Sequence, residues 1–320
     1  MVGCAQSDKP RRNRASERVN SRLRESEIHS SLRLAAVLMP RGKGVVTRRL
    51  GLSRSVFGAA ERVLALRNVE TVQVSPTANV RIHRPCDPIH PAPAVLWIHG
   101  GGYVLGSARV EDRKCRRMAT SLGAVVAAVD YRLAPESSYP AALDDCYAAL
   151  EWLVANPGID RRRIVVAGVS AGGGLAAALT LRCVDTGLVN LAGQVLQYPM
   201  LDDRTALKST SVLGWTANDN RFGWRAYLAS DPGVDAVDDY AAAARRRDLA
   251  GLPPTWVGVG TADLFHDEDV DFAARLQAGG VPTQLEVIRG AFHGFDVAPG
   301  NKLAHAFKAA RLAAIRRFLG

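Results

Sequence analysis

The feature that most constrains this chain is Arg163-Ile164-Val165-Val166-Ala167-Gly168-Val169-Ser170-Ala171-Gly172-Gly173-Gly174. It is an apolar run that breaks at Gly-x-Ser-x-Gly and continues as an alanine-rich helical pattern. Such a run predicts a strand, a turn with no room for side chains, and then a helix. Glycines two residues before and two after Ser170 remove the Cβ atoms that would collide at that turn, and the serine hydroxyl is thrust clear of the backbone. Because the helix begins at the serine, its free N–H groups and dipole favour negative charge there. Glycine-rich strand-to-helix junctions also arise purely for close packing, so the partners that a reactive serine requires decide between the two readings.

A serine hydroxyl is a weak nucleophile and needs a base, an acid to orient that base, and donors for an oxyanion. In a parallel sheet these belong on loops at the carboxyl ends of neighbouring strands. The buried-strand pattern Ala94–Ile98 runs into His99-Gly100-Gly101-Gly102-Tyr103, where consecutive glycines allow main-chain N–H groups to face a cavity. Thr255–Gly260 is a second strand that leads to Asp263, and Gln284–Ile288 a third that leads to His293. Ser170, Asp263 and His293 therefore follow separate strands in the order Ser, Asp, His. His266 is only three residues beyond Asp263, too near to bridge from that acid to Ser170. His99 precedes glycines directly and is expected to be structural, while Asp267 and Glu268 suit the N-terminus of a following helix.

Taken together, Ser170, Asp263 and His293, His99–Gly102, Asp130-Tyr131-Arg132-Leu133-Ala134-Pro135-Glu136, Tyr139-Pro140-Ala141-Ala142 and the acidic stretch from Asp263 to Glu268 resemble the hormone-sensitive-lipase-like family of α/β-hydrolases, the bacterial family IV esterases. The resemblance covers about residues 65 to 318. It implies an α/β-hydrolase fold: a mostly parallel eight-stranded sheet flanked by helices, with a helical cap. It implies Ser170 as nucleophile, His293 as base and Asp263 as orienting acid, with an oxyanion hole from the N–H groups of Gly101, Gly102 and Ala171. It further implies hydrolysis of small carboxylic esters of short to medium chain, with amides or carbamates as alternatives, and no cofactor or metal. A non-catalytic small-molecule receptor on the same fold is the alternative from another class. Val169 stands where many members carry an aspartate, and alanines fill Tyr240–Arg245 where a proline is usual, which bears on substrate preference. Asp130 and Arg132 belong to a structural turn in the family and stay outside the catalytic set.

Strands are expected near 69–75, 80–84, 94–98, 124–129, 163–168, 194–198, 255–260 and 283–288, alternating with helical patterns as a doubly wound sheet requires. Residues 1–66 read as a basic arm and cap helices, including Ser55–Leu66, and 67–320 as the catalytic domain, with a cap insertion at about 202–245 that carries Trp215, Phe222, Trp224 and Tyr227. Those aromatics are expected mainly in the core. The net charge of +10 lies wholly in residues 1–67, which hold fifteen Lys or Arg against five Asp or Glu. Without aromatic interleaving or a nucleic-acid motif, this reads as a solvated, partly flexible start and not as a nucleic-acid partner site.

No apolar stretch approaches the ~20 residues that span a bilayer, so membrane insertion is not expected, and a cytoplasmic location is. The five cysteines form no CxxC pair and read as small hydrophobes. His83, Cys86 and His90, among prolines, read as a surface connection between strands and not as a metal site. The glycines from 100 to 106 imitate a dinucleotide loop, but that parse leaves Ser170, Asp263 and His293 unexplained. A homodimer through the strand at 283–288 is left open by the resemblance.

Overall fold

The computed structural model describes residues 28–320 apart from 38, 40–43, 45, 48 and 209–212. The flexible start expected at 1–20, and Cys4, lie outside the described residues. Eight strands form one sheet: β1 (Glu70–Gln73), β2 (Asn79–His83), β3 (Ala92–Ile98), β4 (Val125–Asp130), β5 (Ile159–Val169), β6 (Gly193–Gln197), β7 (Thr255–Gly260) and β8 (Thr283–Ile288). Their order is β1-β2-β4-β3-β5-β6-β7-β8. β1 and β2 pair antiparallel at one edge, and the rest run parallel from β4 to β8.

The central strands are apolar on both faces because helices cover both. Every residue of β3 is buried, with Leu96 and Ile98 facing one core and Val95 and Trp97 the other. On the first face pack α4 (Ala141–Ala155), α5 (Ala171–Thr186) and α7 (His266–Ala278); on the second, α3 (Asp112–Leu122) and α8 (Lys302–Leu319). Before the sheet come a short α1 (Arg33–Val37) and α2 (Leu50–Leu64), and α6 (Ala217–Leu228) follows β6.

The eight expected strands are all present, β7 and β8 with the expected ends and the other six with shifted ones. β5 starts at Ile159, four residues ahead of the expected start, because buried Ile159 pairs with Ala92 across a break in register at Asp160–Arg163, where Arg161 and Arg162 meet solvent. α2 likewise begins at Leu50 and not Ser55, despite Gly51 in its first turn.

Cys115, Cys146 and Cys183 are buried as expected, and Cys86 is exposed in the surface connection after β2, whereas His83, read as part of that connection, closes β2 and is buried. His83, at the end of β2, is buried beside Asp112, its Nε2 3.3 Å from that carboxylate, and burial lowers its pKa to about 4. Asp112 also accepts from Arg81 Nε and Nη2 at 2.8 and 2.7 Å, so a buried charge is matched by a fork of donors. Asp130, the last residue of β4, accepts from Ala108 N–H at 3.0 Å and so braces the loop after β3.

Candidate active site

Ser170 sits between the last residue of β5 and the first of α5, at φ 55° and ψ −123°. A side chain in that region is strained by about 1–3 kcal/mol, which the surrounding contacts must offset. They do so on both sides of the peptide: Ser170 N–H donates to Gln197 O at 2.9 Å, and Ser170 O accepts from Gly174 and Met200 N–H, each at 3.0 Å. The two flanking glycines are needed for space. A Cβ on Gly168 would lie 2.0 Å from Gly172 O, and one on Gly172 would lie 2.2 Å from His99 O.

The hydroxyl points at His293. Ser170 Oγ is 2.9 Å from His293 Nε2, and His293 Nδ1 lies 2.9 and 3.1 Å from the two oxygens of Asp263. With a carboxylate facing Nδ1, that nitrogen carries the proton and Nε2 is left as the acceptor for the serine O–H. Asp263 is held in turn, its Oδ1 accepting from Phe265 N–H at 3.0 Å. All three side chains are buried. The imidazole is packed edge-on by Phe265 and Tyr198, with ring centroids 5.1 and 4.6 Å away. Thus the sequence-expected Ser170, Asp263 and His293, spread over more than a hundred residues, meet at the carboxyl ends of β5, β7 and β8.

The glycine loop after β3 closes over the serine. Gly101, Gly102 and Gly106 have φ of 123°, 59° and 99°, which side chains rarely adopt. A Cβ on Gly100 would come within 3.2 Å of Ser170 Cβ, so the loop lies directly on the elbow. Among the described residues, the backbone N–H groups of Gly101, Gly102 and Ala171 meet no acceptor. His99 is structural, as expected: its Nδ1–H donates to Gly100 O at 2.8 Å and its ring stacks on Tyr131 at 4.2 Å. Burial depresses its pKa and keeps it neutral. Tyr131 O–H donates to His99 O at 3.0 Å, so the turn after β4 supports the loop.

The rival acids go elsewhere. His266 and Asp267 pair with each other toward solvent. Glu268 is buried, accepts from Leu201 and Asp202 N–H at 2.7 and 3.1 Å, and is raised by burial to about 8. Arg132 pairs with Asp145 at 2.8 Å, in keeping with a structural turn.

A cavity of about 530 Å³ opens over Ser170. Its floor is the glycine loop, Val169, Ser170 and His293; its walls come from Val46, Leu52, Val56 and Phe57 on one side and Trp215 and Val297 on others. Within the aromatic-rich segment, Trp224 and Tyr227 are core residues packed on Tyr103, whereas Trp215 reaches the cavity against Gly102. Sequence reading missed Tyr198 and Asp296. Tyr198 O–H donates to Asp296 in a short hydrogen bond at the cavity edge, a pairing across 98 positions that no local pattern announces.

A family model described as the alpha/beta hydrolase fold matches residues 95–297. The chain belongs to that family. Its motifs put it on the hormone-sensitive-lipase-like branch, and esterases stand among its relatives. It is 34% identical over 216 residues to esterase LipI of Mycobacterium tuberculosis, a match covering 64% of this chain and 66% of that protein. It is also 34% identical over 227 residues to an ethyl acetate hydrolase of Pseudomonas putida, covering 68% and 71%. Among solved structures, a bacterial heroin esterase superposes with a TM-score of 0.84 at 35% identity, covering 92% of this chain and 99% of that one. Thus the match to the mycobacterial relative spans slightly under two thirds of that relative's length.

Proposed function

We propose that this hydrolase is a serine carboxylesterase acting on short- to medium-chain esters through an acyl-enzyme. The observation that carries the reading is the chain of contacts from Asp263 through His293 to Ser170, at 2.9 Å on each side of the imidazole. His293 Nε2 takes the hydroxyl proton as Oγ attacks the ester carbonyl, and Asp263 holds the tautomer and stabilises the imidazolium that forms. The oxyanion is received by the N–H groups of Gly101, Gly102 and Ala171, and loss of one such donor typically removes ~3 kcal/mol of transition-state stabilisation. The imidazolium protonates the leaving alcohol. Water, activated by the same imidazole, then hydrolyses the acyl-enzyme and frees the serine.

The mostly apolar cavity of about 530 Å³ suits a small acyl chain, with α2 and the segment around Trp215 serving as the cap that encloses it. A receptor would need no base, and the intact His293 contact argues for turnover. The direct test is hydrolysis of p-nitrophenyl esters from acetate to palmitate, with Ser170→Ala alongside. Activity on short esters that vanishes in the variant is the expected result; activity that survives would remove Ser170 from the mechanism.

A further inference from the structure

Asp296 is a carboxylate in a mostly apolar cavity. It follows His293 by three residues, on the short 3-10 turn Phe295–Val297, is 3% exposed, and lines the same cavity as Ser170. Tyr198 O–H donates to its Oδ1, while Oδ2 has no donor among the described residues. The other charges on the cavity wall are answered. Asp219 accepts from Val46 N–H, Thr47 N–H and Thr216 O–H at 3.0, 3.2 and 2.8 Å. Glu111 is paired with Lys114 at 2.6 Å. Arg49 is exposed, so solvent screens it. Asp296 is thus a largely buried carboxylate whose Oδ2 meets no protein donor on the cavity side, in a site from which bound substrate would displace water.

We propose that Asp296 makes this site select esters that also carry a cationic nitrogen, the carboxylate pairing with an ammonium group beside the reacting ester. The proposal rests on the esterase reading above. Tyr198, Trp215 and Phe57 line the same cavity, and aromatic rings near a cation favour the same charge.

Thiol release from butyrylthiocholine and from its uncharged carbon isostere, 3,3-dimethylbutyl thiobutyrate, measures the effect. The wild-type kcat/KM is expected to favour the charged ester by about tenfold, the scale of one charge-assisted contact. In Asp296→Asn, which keeps an acceptor for Tyr198, the ratio is expected to fall to about one through loss on the charged ester. Equal wild-type values for the two esters, or a preference that persists in Asp296→Asn, would overturn the proposal. An equal fall on both esters would also do so, by assigning Asp296 to holding His293 through Tyr198. Inhibition needs no variant: choline should compete with the neutral ester at about tenfold lower concentration than 3,3-dimethylbutanol, and equal potency would sink the idea. Failure of the neutral thioester to be hydrolysed in a Ser170-dependent way would instead strike the esterase reading itself.

Discussion

The two sides of the cavity are made of different material. The floor, from Gly100 to Gly102 and from Gly168 to Gly172, is backbone, and Gly100, Gly101, Gly168 and Gly172 are fixed by contacts with other backbone atoms, while Gly102 lies against the Trp215 ring. The wall, from Leu52 to Phe57 and around Trp215, is side chain, contributed by segments outside the sheet, with Phe57 39% exposed. Backbone cannot be trimmed or enlarged, whereas side chains can. The floor is therefore where substitution is expected to end the chemistry, and the wall where it is expected to redirect it.

Turnover gives the widest separation of the two. Ser170→Ala should lower kcat by about 10⁴–10⁶-fold while the fold persists, as steady-state hydrolysis of p-nitrophenyl acetate with a matching circular dichroism spectrum would show. On the same side, Gly172→Ala puts a methyl 2.2 Å from His99 O and 2.3 Å from Ile98 O, neither of which is a flexible side-chain end. Denaturant unfolding should reveal a loss of about 3 kcal/mol or more, and a stability near wild type would refute the account of the floor.

Glu268 braces this floor from behind. It accepts from Leu201 N–H, next to Met200, whose own N–H holds Ser170 O. Its folded pKa of about 8 exceeds the usual carboxylate value, so the native state binds the extra proton and stability falls as pH rises from about 4.5 to about 8. Glu268→Gln should flatten that slope and stabilise the protein at pH 8 on the order of 2 kcal/mol, measured by unfolding across that range.

The wall should respond more mildly. Phe57→Ala is expected to shift relative kcat/KM between butyrate and octanoate esters by up to about tenfold and leave acetate hydrolysis in place; loss of all activity would erase the contrast. The smallest effect concerns strain. Because Ser170 occupies φ 55°, Ser170→Gly should be more stable than Ser170→Ala by about 1 kcal/mol, the reverse of the usual order, in paired thermal melts.

The same division explains how much could be read from sequence. Backbone constraints are local, so glycine spacing in Gly168–Gly172 and Gly100–Gly102 announces the elbow and the loop, and the strands leading to Asp263 and His293 stand out as apolar runs. The wall depends on which distant segments fold over the sheet. Phe57 and Trp215 look alike as helix-borne or loop-borne aromatics whether they face core or cavity, and only the packing of Trp224 and Tyr227 on Tyr103 separates core from cavity. Asp296 was invisible for the same reason, since its meaning comes from Tyr198. Even the start of β5 was hidden, because Ile159 pairs with Ala92 across a break in register at Asp160–Arg163, whose side chains look like a loop.

One carboxylate joins the wall's two halves. Asp219 Oδ1 accepts from Val46 N–H and from Thr47 N–H and O–H, and its Oδ2 accepts from Thr216 O–H, so segments 172 and more residues apart are clasped by a single side chain. Gly44, at φ 73°, leaves room for it, since a Cβ there would lie 2.5 Å from the same carboxylate. Loss of that one carboxylate would strand four donors at once, on both segments, so the seam between the halves of the wall would come apart from both sides together.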